Sequence, residues 1–150
     1  MRDLTNASKG QLGEKVVRTY LEEEGYTVRT SSKNGSDLVA TKEGKSPFSV
    51  EVKASGNLKG GIPDMHTSEF RKRNGKWYLV ADYLYVVRLD RSGEPIHIDI
   101  LTKAEVDSYN DSHRLVTRIR TTKLDSDLYK KKIGKSVPLP KSAPSLKLNL

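Results

Sequence analysis

The stretch GSDLVATKEGKSPFSVEVKAS, residues 35–55, holds two apolar runs separated by the turn-rich KEGKSP. DLVAT and FSVEVKA alternate apolar with polar residues in the manner of half-buried strands, and Gly44 is the natural turn centre between them. Residues two apart share a strand face, and hairpin partners have a constant index sum. Folding the stretch symmetrically about Gly44 sets Leu38 opposite Val50, Ala40 opposite Phe48, and Asp37 opposite Glu51. One face becomes apolar, with Val52 and Ala54 continuing it. The other gathers Asp37, Glu51 and Lys53, the last two about 7 Å apart along one strand. A slip of one residue would exchange the faces, and the apolar alternation in both runs argues against it.

Upstream, GQLGEKVVRTYLEEEGY places Leu12, Val16 and Tyr20, with Val17 and Leu21, at four-residue spacings. That predicts a helix ending at Gly25, followed by a strand in YTVRTSS. Downstream, NLKGGIP reads as a glycine-rich loop. DMHTSEFRKRNGK reads as a short polar helix or a flexible crossover, with Arg71, Lys72 and Arg73 bunched in it. Tyr83 to Leu89 should be a buried strand, turning at RSGEP into the alternating IHIDIL. TKAEVDSY looks like a helix start with Thr102 as N-cap and Glu105 at the capping-box position, and RLVTRIRT is a candidate last strand.

A chain of 150 residues suits one domain, expected over 10–128 between a flexible N-terminus at 1–9 and a tail at 129–150. The tail carries six basic and no acidic side chains, six of the formal net +8, together with three of the six prolines. It reads as extended or disordered, either a phosphate-contacting arm through Lys130, Lys131 and Lys132 or a solvated end. The absence of cysteine excludes disulfides and thiolate zinc sites. His66, His97 and His113 lack ligand spacing and read as structural or exposed residues. With no signal-like or membrane-spanning stretch, the expectation is a soluble, intracellular (cytoplasmic) protein with no membrane association.

Two carboxylates brought this close repel each other, and either share a proton or recruit a hard cation. Magnesium is commonly held by one or two carboxylates plus a substrate phosphate, and a lysine beside it can orient water and offset phosphate charge. Each residue also has a plainer reading. Glu51 and Lys53 could decorate a strand edge, Asp37 could serve the turn after Gly35, and Glu14 could pair with Arg18 across one helical turn, worth about 0.3 kcal/mol. Arg71, Lys72 and Arg73 could be a solvated cluster or could grip a nucleic-acid backbone. Trp77, Tyr78, Tyr83 and Tyr85 fit core packing better than a base-stacking platform.

With Glu14 on the first helix, Asp37 opening a strand and Glu51-Val52-Lys53 on the next, the sequence resembles the PD-(D/E)XK, or restriction-endonuclease-like, nuclease superfamily. Residues 9–55 look most like its archaeal Holliday-junction resolvase-like branch. Ser36 stands where the name-giving proline would be, and the C-terminal half does not follow the resolvase pattern. The resemblance implies an α/β fold with a central mixed sheet flanked by helices. It implies a magnesium-dependent endonuclease, with manganese expected to substitute, that hydrolyses phosphodiester bonds in duplex or branched DNA and leaves a 5′-phosphate. Asp37, Glu51 and the Val52 backbone carbonyl would hold the metal, Glu14 would join directly or through water, and Lys53 would position the attacking water. Ser32 would help to hold the phosphate. Two cuts per duplex imply a homodimer with one site per subunit. A non-catalytic nucleic-acid-binding module with the same fold is the alternative from another class.

Overall fold

Leu12, Val16, Val17 and Leu21 are buried along one stripe of the first helix, α1 (Asn6–Glu23). The helix stops at Gly25, whose φ of 95° permits the two reversing bonds, Gly25 N to Glu22 O at 3.0 Å and Tyr26 N to Leu21 O at 3.0 Å. The computed structural model describes residues 6–33, 35–56, 58, 62–113 and 134–144. After α1 come β1 (Thr27–Thr30), β2 (Leu38–Lys42) and β3 (Lys45–Ser55), a 3₁₀ turn (Thr67–Glu69), and then β4 (Phe70–Arg73) and β5 (Lys76–Leu79). β6 (Tyr83–Leu89), β7 (Pro95–Thr102), α2 (Lys103–His113) and β8 (Lys135–Val137) follow.

Six strands form one sheet in the order β1-β2-β3-β6-β7-β8, while β4 and β5 pair separately. β3 and β6 run parallel and the remaining neighbours antiparallel, so the sheet is mixed. Alternation divides its side chains between two layers. Val50, Val52, Tyr85, Val87, Ile98 and Val137 pack with the apolar stripe of α1. Leu84, Val86 and Leu101 face the other way, onto Phe70 and Leu79 of the small hairpin and Val106 and Tyr109 of α2. Fully burying one such aliphatic side chain stabilises by about 1.5–3 kcal/mol, so the two clusters hold the helices to opposite faces. The result is the α/β class expected, consistent with a restriction-endonuclease-like core.

α2 is capped as its sequence requires: Glu105 N donates to Thr102 Oγ1 at 3.1 Å, and Thr102 N donates to a Glu105 carboxylate oxygen at 3.0 Å. The aromatic residues divide. Tyr83 and Tyr85 join Phe48, Tyr20 and Tyr26 in a chain of edge-to-face contacts at centroid separations of 5.1–6.3 Å. Trp77 packs against the second cluster.

Three boundaries differ from the sequence reading. Within residues 64–76 only Thr67–Glu69 is helical, as a 3₁₀ turn, and the rest is not a loose crossover, because Asn74 and Gly75, at φ 51° and 79°, close a two-residue turn between the paired strands β4 and β5. Both positive angles suit the type I′ geometry that Asn-Gly favours. The domain also reaches past residue 128. β8 pairs with the outer edge of β7, Val137 enters the first cluster, and the Glu23 carboxylate accepts from Lys141 N, Ser142 N and Ser142 Oγ at 2.9–3.3 Å. An unpaired β7 edge offers free backbone groups, which β8 satisfies. α1 already begins at Asn6, within the stretch expected to be flexible. The strand expected in RLVTRIRT and the basic residues Lys130, Lys131 and Lys132 lie outside the described residues.

Candidate active site

The β2–β3 hairpin pairs Leu38 with Val50, Val39 with Ser49 and Ala40 with Phe48, the register that the apolar alternation demands. It irons out its odd loop length by a shift between Ala40 and Lys42, beyond the site. Asp37 sits at the head of β2 and is fixed at three points. Its N–H donates to Val50 O at 2.8 Å, its carbonyl accepts from Ser31 N at 2.9 Å, and its Oδ2 accepts from Val52 N at 2.8 Å. The loop before it is drawn together by Ser31 Oγ and Ser36 Oγ, 2.8 Å apart, and by Lys33 N donating to Ser31 Oγ at 3.2 Å. Ser32 is exposed on this loop, whose internal bonds use Ser31 and Ser36 instead.

Glu51 is 5% exposed and hydrogen-bonds the Asp37 carboxylate. Burial first, then that bond and the charges of Asp37 and Glu69, push its carboxyl up to about 10 against the opposing pull of Lys53. In the metal-free chain these causes favour the protonated form of Glu51 at neutral pH.

Lys53 projects from the same face of β3, and its Nζ lies 2.6 Å from Glu69 Oε1. Glu69 ends the 3₁₀ turn, is 6% exposed, and also accepts from His66 N at 3.1 Å. Its Oε2 is buried with no hydrogen-bond partner. Sequence pattern does not reveal this fourth acid. No spacing ties it to the others, because it arrives 16 residues after Lys53 in a segment whose charges conceal the hairpin, and only the fold brings it back.

Glu14 approaches from α1. A Cβ at the neighbouring Gly13 would stand 3.3 Å from Val52 Cγ1 and 3.4 Å from Ala54 Cβ, so the helix lies close on β3 at this point. Burial and then the Asp37 charge raise the Glu14 carboxyl, with Arg18 opposing. Arg18 itself donates to Val28 O at 2.8 Å and Thr30 Oγ1 at 3.3 Å, which ties α1 to β1 rather than to Glu14. Arg71, Lys72 and Arg73 occupy β4 and are exposed. His97 Nε2 lies 3.4 Å from Asp99 Oδ1, two strands away from the pair.

Among the described residues, no group of three or more histidine, cysteine, aspartate or glutamate side chains stands ready-made around a metal position. The donor set is narrower: the two contiguous carboxyl groups of Asp37 and Glu51, with a buried carboxylate oxygen of Glu69 unpartnered nearby. Such a set fits a hard cation that completes its shell with water and substrate oxygens.

The mixed six-stranded sheet flanked by helices is that of an α/β protein, consistent with a restriction-endonuclease-like fold. The chain is 35% identical over 102 residues to a UPF0102 protein of Clostridioides difficile (strain 630), a match covering 65% of this chain and 86% of that relative. It belongs to the UPF0102 family. No family model and no solved structure matches it. Among the described residues, no helix is long and apolar enough to cross a membrane.

Proposed function

We propose that this protein is a divalent-cation-dependent nuclease of the PD-(D/E)XK type that hydrolyses phosphodiester bonds in DNA. One observation carries the reading: the hairpin register delivers Asp37 and Glu51 as a hydrogen-bonded pair of acids, and Glu51 is buried at an energetic cost that structure alone does not require. A magnesium ion held by Asp37, Glu51 and the Val52 carbonyl would supply a water acidic enough to attack near neutral pH and positive charge for the scissile phosphate.

The chain's own residues do the rest. Asp37, immobilised by Val52 N, Val50 O and Ser31 N, presents a carboxylate that does not reorganise. With a cation held there, Glu51 would serve as an ionised ligand, its proton released to solvent. Lys53 offers its ammonium to a phosphate oxygen or to the attacking water, and Glu69 holds that ammonium in position. Glu14 supports the same point from α1. Arg71, Lys72 and Arg73 contact the backbone, and a homodimer would supply the second cut of a duplex.

The test is incubation of supercoiled plasmid and of a four-way junction with the protein and Mg²⁺, repeated with Lys53→Ala and with EDTA. Nicking or linearisation that disappears in both controls is expected. Binding without cutting by the wild type would leave the non-catalytic module, and cutting by Lys53→Ala at the wild-type rate would remove the lysine from the mechanism.

A further inference from the structure

The β4–β5 hairpin has two unlike faces. Its register pairs Phe70 with Leu79 and Lys72 with Trp77 on one side, and Arg71 with Tyr78 and Arg73 with Lys76 on the other. Phe70, Leu79 and Trp77 pack into the second core cluster, which turns the Arg71–Tyr78–Arg73 face outward. That face forms one wall of a cleft of about 680 Å³, to which Lys33 and Val80 contribute from one side and Lys103 from another. Among the described residues, no acidic side chain lines it. Lys103 is already engaged, with the Leu79 carbonyl and, at 3.5 Å, with Asp107. Among the described residues, Lys33, Arg71 and Arg73 have no carboxylate within ion-pair distance.

The candidate active-site residues do not line the cleft, but the segments that carry two of them touch it. A Cβ at Gly35 would lie 2.9 Å from Val80 Cβ and 3.0 Å from Ser68 O, so Gly35, two residues before Asp37, packs directly against Val80 of the cleft wall. On the other side, Val80 N donates to Glu69 O at 3.0 Å, and Arg71 follows Glu69 by two residues. Lys33 thus leads to Asp37, and Arg71 follows the residue that holds Lys53. Among the described residues, the cleft therefore sets cationic side chains beside both segments, Lys33 before Asp37 and Arg71 after Glu69.

We infer that this cleft binds an unpaired nucleic-acid strand flanking the cleavage point. Guanidinium groups match phosphate oxygens in bidentate geometry, and uncompensated cations in a concavity focus potential. Tyr78 decides between single strand and duplex. Its ring is half-buried inside the cleft, with Lys103 Nζ 5.9 Å from its centroid. A duplex keeps its base faces stacked inside the helix, so a recessed ring meets a base face only where the strand is unpaired. The inference names the substrate class of the site proposed above and rests on that reading for its position. Its test reads binding with divalent ions chelated, so that each can fail without the other.

Fluorescence anisotropy in EDTA would compare a labelled single-stranded oligonucleotide with a blunt duplex of the same length across a salt series. The double substitution Arg71→Glu, Arg73→Glu is expected to weaken single-strand binding at least ten-fold. The slope of log K against log salt should flatten by about 0.7 for each phosphate that the protein no longer neutralises. Tyr78→Leu, which keeps apolar volume without a flat ring, should weaken the single strand about five-fold or more and leave the blunt duplex unchanged, and Tyr78→Phe should bind as the wild type does. Equal weakening on both substrates with Tyr78→Leu, or unchanged binding by the double substitution, would overturn the assignment.

Discussion

Lys53 and Glu69 form a 2.6 Å ion pair between the third strand and the 3₁₀ turn that precedes the basic hairpin, with side chains 19% and 8% exposed. The lysine of the Glu-Val-Lys triplet is therefore not loose on a strand surface. Its ammonium is held by an acid that is itself anchored through His66 N at 3.1 Å. Glu69→Gln keeps the shape and removes the charge that orients Lys53, so DNA cleavage should fall by about 10- to 100-fold, the usual effect of losing a group that orients a functional one. The loss should appear in kcat more than in KM, because Glu69 faces Lys53 rather than solvent. Single-turnover cleavage at saturating enzyme would measure it, and an unchanged rate would leave the pair a purely structural contact.

Glu51 ties stability to pH. Its carboxyl sits at about 10 in the folded chain against 4.5 for an ordinary glutamate, so between those limits the folded state binds a proton that the unfolded state has released. Stability must then fall as pH rises through that window, since the unfolded state binds fewer protons. Glu51→Gln mimics the protonated form. In EDTA at pH 7.5 it should stabilise the protein by about 1–2 kcal/mol and flatten the pH dependence of urea unfolding above pH 4.5. Mg²⁺ should raise the melting temperature of the wild type and not of Glu51→Gln. A variant less stable than wild type in EDTA would count against a protonated Glu51.

Gly35 sets the position of Asp37 from two residues away. Its φ of 94° lies in the left-handed region, and an added Cβ would stand 2.9 Å from Val80 Cβ. Gly35→Ala should cost about 1–3 kcal/mol in strain and displacement, measurable as a lower melting temperature. If Asp37 holds the metal as proposed, cleavage should fall further than the folded fraction accounts for, because the loop that moves ends on Asp37. Gly44→Ala is the control: its φ is 79° with nothing within 4 Å of the Cβ position, so it should carry backbone strain alone and leave the rate per folded molecule unchanged.

Local pattern encodes part of this architecture and leaves the rest to the fold. The pairing of Leu38 with Val50 and of Ala40 with Phe48 follows from a period of two and one glycine, and the α2 cap follows from Thr102 and Glu105. Glu69 reaches the site through a hairpin whose strongest signal, Asn74-Gly75, lies in a run of charges that masks the alternation of Phe70, Trp77 and Leu79. β8 is hidden for a related reason. Three residues of a basic, proline-containing stretch carry too little pattern to announce a strand, and the free β7 edge supplies the stabilisation instead.

Arg88 and Asp99 lie 2.8 Å apart, 1% and 2% exposed, across β6 and β7 on the face of the sheet that carries Glu51. Ser136 Oγ of β8 also donates to Asp99, so this buried charge helps fix the edge strand. Removing one partner should be far worse than removing both. Asp99→Leu leaves a desolvated guanidinium without its carboxylate and should destabilise by about 3–5 kcal/mol, whereas Arg88→Met combined with Asp99→Leu should recover most of that loss. Urea unfolding of the two singles and the double gives the coupling energy directly. Additive losses would mean that packing, not charge, dominates at this point. A strongly non-additive cycle with wild-type cleavage in the double variant would show that the pair stabilises the sheet beneath the site without taking part in its chemistry.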